Sequence, residues 1–326
     1  MVVKKMTSAI LGTGSAMPEK VVTNTDLTKI MDTSDEWISD RTGIRERRIA
    51  VTENTTTLSI AASEKAIADA GIAPEDIDLI IVATLTPDGI MPNTACKVQA
   101  AIGATNAMCY EINAACSGYM YGLQTAHAFL SSGMIRYALV VGAETLSKIM
   151  DWSDRGTCVL FGDGAGAAVL GQAEEGIICI EGGADGTKGS VLTCGNNPLK
   201  NPYVDTPATS QYVYMDGQEV FRFAVRKIPE IVNGLLKKSE LKMEDLDLVL
   251  LHQANKRIIQ SAAKRLGADE AMFPMNLDRY GNTSAASVAI LLDEVHKNGQ
   301  IKAGDTIALA GFGGGLTWAG ILLKWI

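Results

Sequence analysis

Three residues far apart in the chain are of types that do chemistry together: Cys116, His252 and Asn282. Cys116 lies in Glu111-Ile-Asn-Ala-Ala-Cys-Ser-Gly-Tyr119, between an apolar run carrying Met108 and Tyr110 and a periodic segment over 120–130. That pattern predicts a strand, a turn of small residues, and a helix beginning near the cysteine. The unpaired N–H groups and positive dipole end of such a helix would lower the thiol's pKa and favour the thiolate. Ala114, Ala115, Ser117 and Gly118 are small enough to let a carbonyl approach closely. His252 ends a buried run in Leu251-His-Gln-Ala-Asn255, and Asn282 sits in Tyr280-Gly-Asn-Thr-Ser284. Each also has a plain structural reading: a small core cysteine, a strand-end histidine, a turn asparagine. As a set they could serve nucleophilic catalysis, beside a Gly311-Phe-Gly-Gly-Gly315 turn whose N–H groups could face an oxyanion. Metal binding fits poorly, because Cys116 and His252 lack local partner ligands.

The elements that must position these residues follow from periodicity. Strands are predicted over 7–11, 78–83, 136–143, 247–251, 306–310 and 317–325, the run at 78–83 being apolar enough to be covered on both faces. Helices are predicted over 25–31, 57–70, 93–102, 217–238, 255–266 and 284–298. Gly12-Thr-Gly-Ser-Ala-Met-Pro18 lacks the third glycine and the helix of a dinucleotide fingerprint. Phe161-Gly-Asp-Gly-Ala-Gly-Ala167 leads into an apolar strand, so its glycines read as close backbone packing rather than a phosphate loop. Residues 185–215 are rich in turn formers, Asn196 and Asn197 among them, and read as an excursion or lid over one face. The charged segment 33–48 carries Trp37 and four arginines, Arg41 included; it reads either as a solvated surface or as a site where Trp37 stacks and Arg41 meets phosphate.

Composition narrows the class. The 326 residues are 47% hydrophobic with 32 glycines, which suits a closely packed α/β protein of one large or two modest domains. No apolar run reaches the length of a membrane span and no signal-peptide pattern is read. Six cysteines without C-x-x-C spacing read as reduced thiols of a cytoplasmic protein. A net charge of −8 argues against general nucleic-acid affinity.

The two halves repeat. Ile77-Asp-Leu-Ile-Ile-Val-Ala83 parallels Leu246-Asp-Leu-Val-Leu-Leu-His252, Ile102-Gly-Ala parallels Leu266-Gly-Ala, and Tyr137-Ala-Leu-Val-Val-Gly142 parallels Asp305-Thr-Ile-Ala-Leu-Ala310. The spacing between partners is nearly constant, so the chain reads as two related α/β units, 1–172 and 173–326, each with the order helix, strand, helix, strand, helix, strand. Duplication sets the Cys116 turn of one unit opposite the Asn282 turn of the other.

Asn113-Ala-Ala-Cys-Ser-Gly118, His252-Gln-Ala-Asn255, Gly281-Asn-Thr-Ser284 and Phe312-Gly-Gly-Gly315 together resemble the signature set of β-ketoacyl-[acyl-carrier-protein] synthase III. This family initiates bacterial type II fatty acid synthesis. The resemblance spans essentially the whole chain and implies a thiolase-like five-layered α/β/α/β/α fold from two duplicated halves, assembled as a homodimer. It implies that an acyl-CoA, acetyl-CoA by family habit, acylates Cys116. Malonyl-acyl carrier protein is then decarboxylated, with His252 and Asn282 as hydrogen-bond donors to the enolate. The N–H groups of Cys116 and Gly314 would form the oxyanion hole. Thr33, Trp37, Arg41 and Arg155 would bind CoA, and Phe221 and Met91 would line substrate tunnels. Lys256 and Arg257 would meet the carrier protein, with Arg222, Arg226 and Lys227 as further candidates. No cofactor and no metal are implied, since acyl-CoA is a substrate. One departure stands out: Met91 precedes Pro92 where many members carry Phe, a residue the family inserts into the partner's acyl pocket. A related condensing enzyme of specialised metabolism, using another starter or a CoA acceptor, is the alternative. A thiolase proper would need a second cysteine in the final glycine turn, which has none. A Cys/His/Asn hydrolase or a non-catalytic binding module would differ in releasing CoA without a new carbon–carbon bond, or in leaving Cys116 unreactive.

Overall fold

The computed structural model describes residues 6–195, 198–204, 206, 207 and 210–326; Asn196 and Asn197 of the turn-rich stretch lie outside them. The chain opens with β1 (Thr7–Ala16), β2 (Val21–Thr23), α1 (Asn24–Leu27), α2 (Asp35–Thr42), β3 (Glu46–Arg48) and α3 (Thr55–Ala70). Next come β4 (Leu79–Ala83), α4 (Thr94–Ile102), β5 (Met108–Ile112), α5 (Gly118–Ser131), β6 (Tyr137–Thr145) and β7 (Asp163–Ala173). The remainder begins β8 (Ile177–Ala184), β9 (Leu192–Cys194), β10 (Val213–Met215) and α6 (Gly217–Ser239). It ends β11 (Leu248–Leu251), α7 (Lys256–Leu266), α8 (Leu277–Tyr280), α9 (Ala286–Lys297), β12 (Thr306–Gly313) and β13 (Thr317–Lys324).

Two mixed sheets form, in the orders β1-β7-β6-β4-β5 and β11-β12-β13-β8. The duplication is visible in register. Leu79 pairs with Ala138 in the parallel β4–β6 ladder, and Leu248 with Ile307 in the parallel β11–β12 ladder. Helices repeat as well: α4 and α7 each start from a capping asparagine, Asn93 and Asn255, and end at a left-handed glycine, Gly103 and Gly267. An asparagine oxygen takes an orphan N–H of the first turn, and glycine alone turns left-handed without a Cβ clash.

Packing gives five layers, the expected thiolase-like α/β/α/β/α arrangement. One apolar cluster joins α3 and α4 to the first sheet, through Leu58, Ala66, Val98, Ile80 and Val82. A second unites α5 and α9 with both sheets, through Tyr119, Leu123, Leu291, Val140 and Ile321. The third packs α6 and α7 on the second sheet, through Ile228, Leu235, Ile259, Val249 and Leu322. Close approach is bought with glycine on β1: a Cβ on Gly12 would lie 2.3 Å from the Ala70 backbone nitrogen of α3. Residues 12–16 are therefore strand rather than nucleotide loop.

The repeat is less regular than its sequence suggests. Among the described residues no strand stands between α7 and α9, where β5 stands between α4 and α5 in the first half. Pro274 of this stretch has no N–H for a ladder. Asn276 is instead tied to Gln253, whose Oε1 accepts from the Asn276 backbone N–H at 3.1 Å. The second sheet consequently has four strands against five. The 185–215 excursion forms a helical turn at Gly186–Val191 and the β9–β10 pair, which returns the chain to α6.

Candidate active site

Cys116 sits in a single 3-10 turn, Ala115–Ser117, between β5 and α5. Ala115 adopts φ +46°, a left-handed conformation costly for any residue with a Cβ, and the sharp turn presents the following thiol at the head of the helix. The glycine turn after β12 backs directly on it. A Cβ on Gly313 would lie 2.6 Å from the Cys116 backbone nitrogen, so only glycine fits there. Thr317 Oγ1 ties the two turns together, donating to Ala114 O at 3.0 Å and lying 2.6 Å from Ser117 Oγ.

His252 follows β11 and is buried, its ring edge-on to Phe312 at 5.5 Å between centroids. Burial pushes its pKa down to about 3, so the imidazole is neutral. Nδ1 lies 2.6 Å from Ser287 Oγ on α9. Asn282 is held through its backbone, its N–H donating to Leu160 O at 2.8 Å and its C=O accepting from Gly162 N at 3.0 Å. Its side-chain Oδ1 accepts from the Ser284 N–H at 2.8 Å. With the oxygen used internally, the amide NH₂ is what Asn282 offers to a ligand.

All three line one cavity of about 490 Å³, with Gly313, Gly314 and Gly315 on one side. Leu85, Leu146, Leu160, Leu192, Val213, Met215 and Phe221 give it mainly apolar walls. Leu192, Val213 and Met215 come from β9 and β10, so the turn-rich excursion does cover this face. Phe221 and Gly314 also line this cavity. Met91 is 89% exposed and lies outside the cavity of its own chain, where a residue meant for a partner's pocket would stand.

The charged segment 33–48 folds as α2 and β3, and Trp37 becomes a stacking platform. The Arg41 guanidinium lies 4.7 Å and that of Arg155 5.1 Å from the Trp37 ring centre. Arg155 also donates to Asp32 O at 2.7 Å, and the buried Thr33 hydroxyl has no hydrogen-bond partner. The start of α7 adjoins this group, Asn255 Nδ2 donating to Arg41 O at 3.0 Å and Arg257 Nη2 to Asp40 O at 2.8 Å. Lys256 and Arg257 are exposed beside it. Arg222, Arg226 and Lys227 do not join as free cations: Glu219 and Glu230 on the same helix α6 pair with them.

One expectation is reversed. Burial pushes the Cys116 thiol up to about 12, against the lowering expected at a helix start, and the nearby Glu144 carboxylate adds to the rise. The resting group is the thiol, so deprotonation must accompany attack. Glu144 itself escaped the sequence reading. It is fully buried, accepting from Thr86 Oγ1 at 2.5 Å, Leu85 N at 3.2 Å and Thr84 Oγ1 at 3.3 Å, and burial pushes its pKa up to about 7. Its signal was present: one acid inside the apolar strand β6. Ser287 and Gln253 were also missed, because a small polar residue in a helix or after a strand carries no mark of its partner. Among the described residues no three His, Cys, Asp or Glu side chains group as metal ligands would.

The family description 3-oxoacyl-[acyl-carrier-protein] synthase III matches residues 110–186, and its C-terminal counterpart matches 236–325. A beta-ketoacyl-[acyl-carrier-protein] synthase III of Clostridium acetobutylicum is 52% identical over 318 residues, covering 97% of this chain and 98% of its own. That of Caldanaerobacter subterraneus is 51% identical, covering 99% of each. Among solved structures, the 3-oxoacyl-[acyl-carrier-protein] synthase III of Aquifex aeolicus is 45% identical with a TM-score of 0.92, over 98% of this chain and 100% of that one. The priming beta-ketosynthase of the R1128 polyketide pathway is 37% identical with a TM-score of 0.92, over 100% and 98%.

Proposed function

The chain belongs to the 3-oxoacyl-[acyl-carrier-protein] synthase III family of thiolase-fold condensing acyltransferases, and from that premise we propose how its residues divide the reaction. Cys116 attacks the thioester carbonyl of an acyl-CoA primer, acetyl-CoA; the C–S bond to CoA breaks, and the thiol proton leaves with CoA. Backbone N–H groups of Cys116 and Gly314 hold the oxyanion of that step. Malonyl-acyl carrier protein then loses its carboxylate. The electron pair of the broken C–C bond enters an enolate, CO₂ leaves, and the enolate carbon attacks the acyl-Cys116 carbonyl to expel the Cys116 sulfur. His252 and Asn282 donate to the enolate oxygen. One observation carries this reading: a neutral imidazole and an Asn amide whose oxygen is already used converge with the thiol on one apolar cavity. No base need take a carbon-bound proton, since CO₂ loss itself generates the carbon nucleophile.

Around this centre, Thr33, Trp37, Arg41 and Arg155 bind CoA. The gathered platform supports the assignment, as does the orphaned Thr33 hydroxyl, which a bound molecule would satisfy. Lys256 and Arg257 receive the acidic carrier protein. The units 1–172 and 173–326 are the duplicated domains. The protein is assigned to the cytoplasm by its family resemblance, and its assembly as a homodimer is supported by β5, an edge strand of the first sheet with Met108 exposed, and by Ile90 and Met91, exposed side by side. Met91 would then enter the partner's tunnel. Intact mass measurement after incubation with acyl-CoAs of graded length and branching tests the centre. Acetyl transfer to Cys116, absent in Cys116→Ser, is expected; no adduct with any acyl-CoA overturns the reading. A clear preference for a longer or branched starter replaces acetyl-CoA as primer and favours a specialised role, as in the R1128 relative.

A further inference from the structure

A neutral imidazole has one proton and two nitrogens, and the two choices give His252 opposite roles. With the proton on Nε2 it is a donor toward the cavity; with the proton on Nδ1, its Nε2 lone pair is a base toward the Cys116 thiol. The structure distinguishes them through Ser287. This residue is 2% exposed, in the first turn of α9, and His252 Nδ1, 2.6 Å away, is the sole partner of its hydroxyl among the described residues. If Nδ1 carried the proton, Nδ1–H would point at Ser287 Oγ, and the Ser287 hydrogen would be buried with no acceptor. A buried donor left unpaired costs about 1–3 kcal/mol. If Ser287 donates to Nδ1, its buried hydrogen is paired, and the remaining ring proton lies on Nε2, facing the cavity that His252 lines. Ser59 and Ser63 of α3 spend their hydroxyls on carbonyls of the preceding turn, Thr55 O and Ser59 O, each at 2.6 Å. Ser287 does not.

We propose that Ser287 is a positioning residue that fixes His252 as the Nε2–H tautomer, making it a hydrogen-bond donor to the substrate and not a base. The inference rests on the donor reading given above. Phe312, edge-on to the ring, keeps it from swinging, so one hydroxyl on α9 governs both its orientation and its proton.

Nitrogen NMR of protein labelled at the histidine ring nitrogens tests this directly, the His252 signals being identified among three histidines by their loss in His252→Gln. In the wild-type enzyme Nε2 should be protonated and Nδ1 bare; a protonated Nδ1 overturns the proposal. Ser287→Ala should mix the tautomers and slow malonyl decarboxylation by roughly tenfold, the size of one buried neutral hydrogen bond. Acylation of Cys116 should stay within about twofold, which a general packing defect would not allow. Ser287→Thr, which keeps the hydroxyl, should restore the tautomer and most of the rate. If His252→Ala loses decarboxylation while Ser287→Ala keeps both the rate and the tautomer, Ser287 has no such role and the donor reading survives. If His252→Ala decarboxylates at the wild-type rate, the donor reading fails and the inference falls with it.

Discussion

At the scale of single residues the site separates two kinds of work. In the proposed mechanism acyl transfer asks for the thiol and the backbone oxyanion donors, while decarboxylation asks for His252 and Asn282. His252→Ala and Asn282→Ala should therefore still take an acyl group on Cys116 but fail to release labelled CO₂ from malonyl-acyl carrier protein. Loss of one donor from a water-poor site costs on the order of 10²–10³ in rate. The double variant should lose less than the product of the two, since both donors act on one oxygen. Wild-type CO₂ release by Asn282→Ala would remove Asn282 from the reaction. Burial also makes His252 a pH liability. Its folded pKa, about 3, lies below the ordinary 6.5, so the unfolded chain takes up the proton first as pH falls. Stability from this group is whole above about 6.5 and is lost between there and 3, by up to roughly 5 kcal/mol. In denaturant titrations across that window, His252→Gln should lose stability less steeply than the wild type.

At the scale of elements, chemistry depends on how closely turns meet. The turn after β12 approaches the head of α5 so tightly that a methyl at Gly313 would overlap the Cys116 N–H region. Gly313→Ala should leave circular dichroism unchanged while slowing acylation of Cys116 by about 10²-fold, read by stopped-flow or quenched mass measurement. Acylation at the wild-type rate would mean the glycine turn takes no part in the oxyanion site. At the other end, the start of α7 and the end of α2 are stitched by Asn255 and Arg257. Lys256 and Arg257, exposed there, are the cations we propose as the carrier protein's target, whereas those of α6 are paired with its own glutamates. Arg257→Glu should raise KM for malonyl-acyl carrier protein severalfold and flatten its salt dependence, with acylation by acyl-CoA little changed. Equal effects of Arg226→Glu would show that the patch is not where α7 begins.

At the scale of the whole molecule, the duplicated halves are not independent bodies. Helices α5 and α9, one from each half, lie between the sheets and share a single apolar cluster with both. Cutting the chain at residue 172 would expose the β7 and α5 faces that α9 covers, and burial on this scale is what offsets chain entropy. Residues 1–172 produced alone should show no cooperative thermal transition, whereas the full chain should. A sharp transition in calorimetry of the half-chain would show that the shared layer is dispensable.

How much of this was written in the sequence differs by kind. Periodicity located the long helices and most strands of both sheets, since these bury apolar residues at fixed intervals whatever surrounds them, but it did not find β8 or the short elements α2, α8, β2, β3, β9 and β10. The near-constant spacing of Ile77-Asp-Leu and Leu246-Asp-Leu gave the duplication, and with it the expectation that Cys116 and Asn282 face each other. Residue type suggested the chemistry of Cys116, His252 and Asn282, and family resemblance supplied their partners. Sequence alone did not show that the second half lacks a counterpart of β5, because Pro274 forbids a ladder only if a strand would otherwise have formed there. It also misjudged the thiol. A helix start favours the thiolate, but the depth of burial that outweighs it is set by two sheets, α9 and the glycine turn together. Arg222, Arg226 and Lys227 looked free until α6 set Glu219 and Glu230 beside them. Ser287 and Gln253 were unremarkable letters for the same reason: a hydrogen bond joins residues by distance in space, and the 35-residue separation of His252 and Ser287 closes to 2.6 Å only when β11 and α9 are packed.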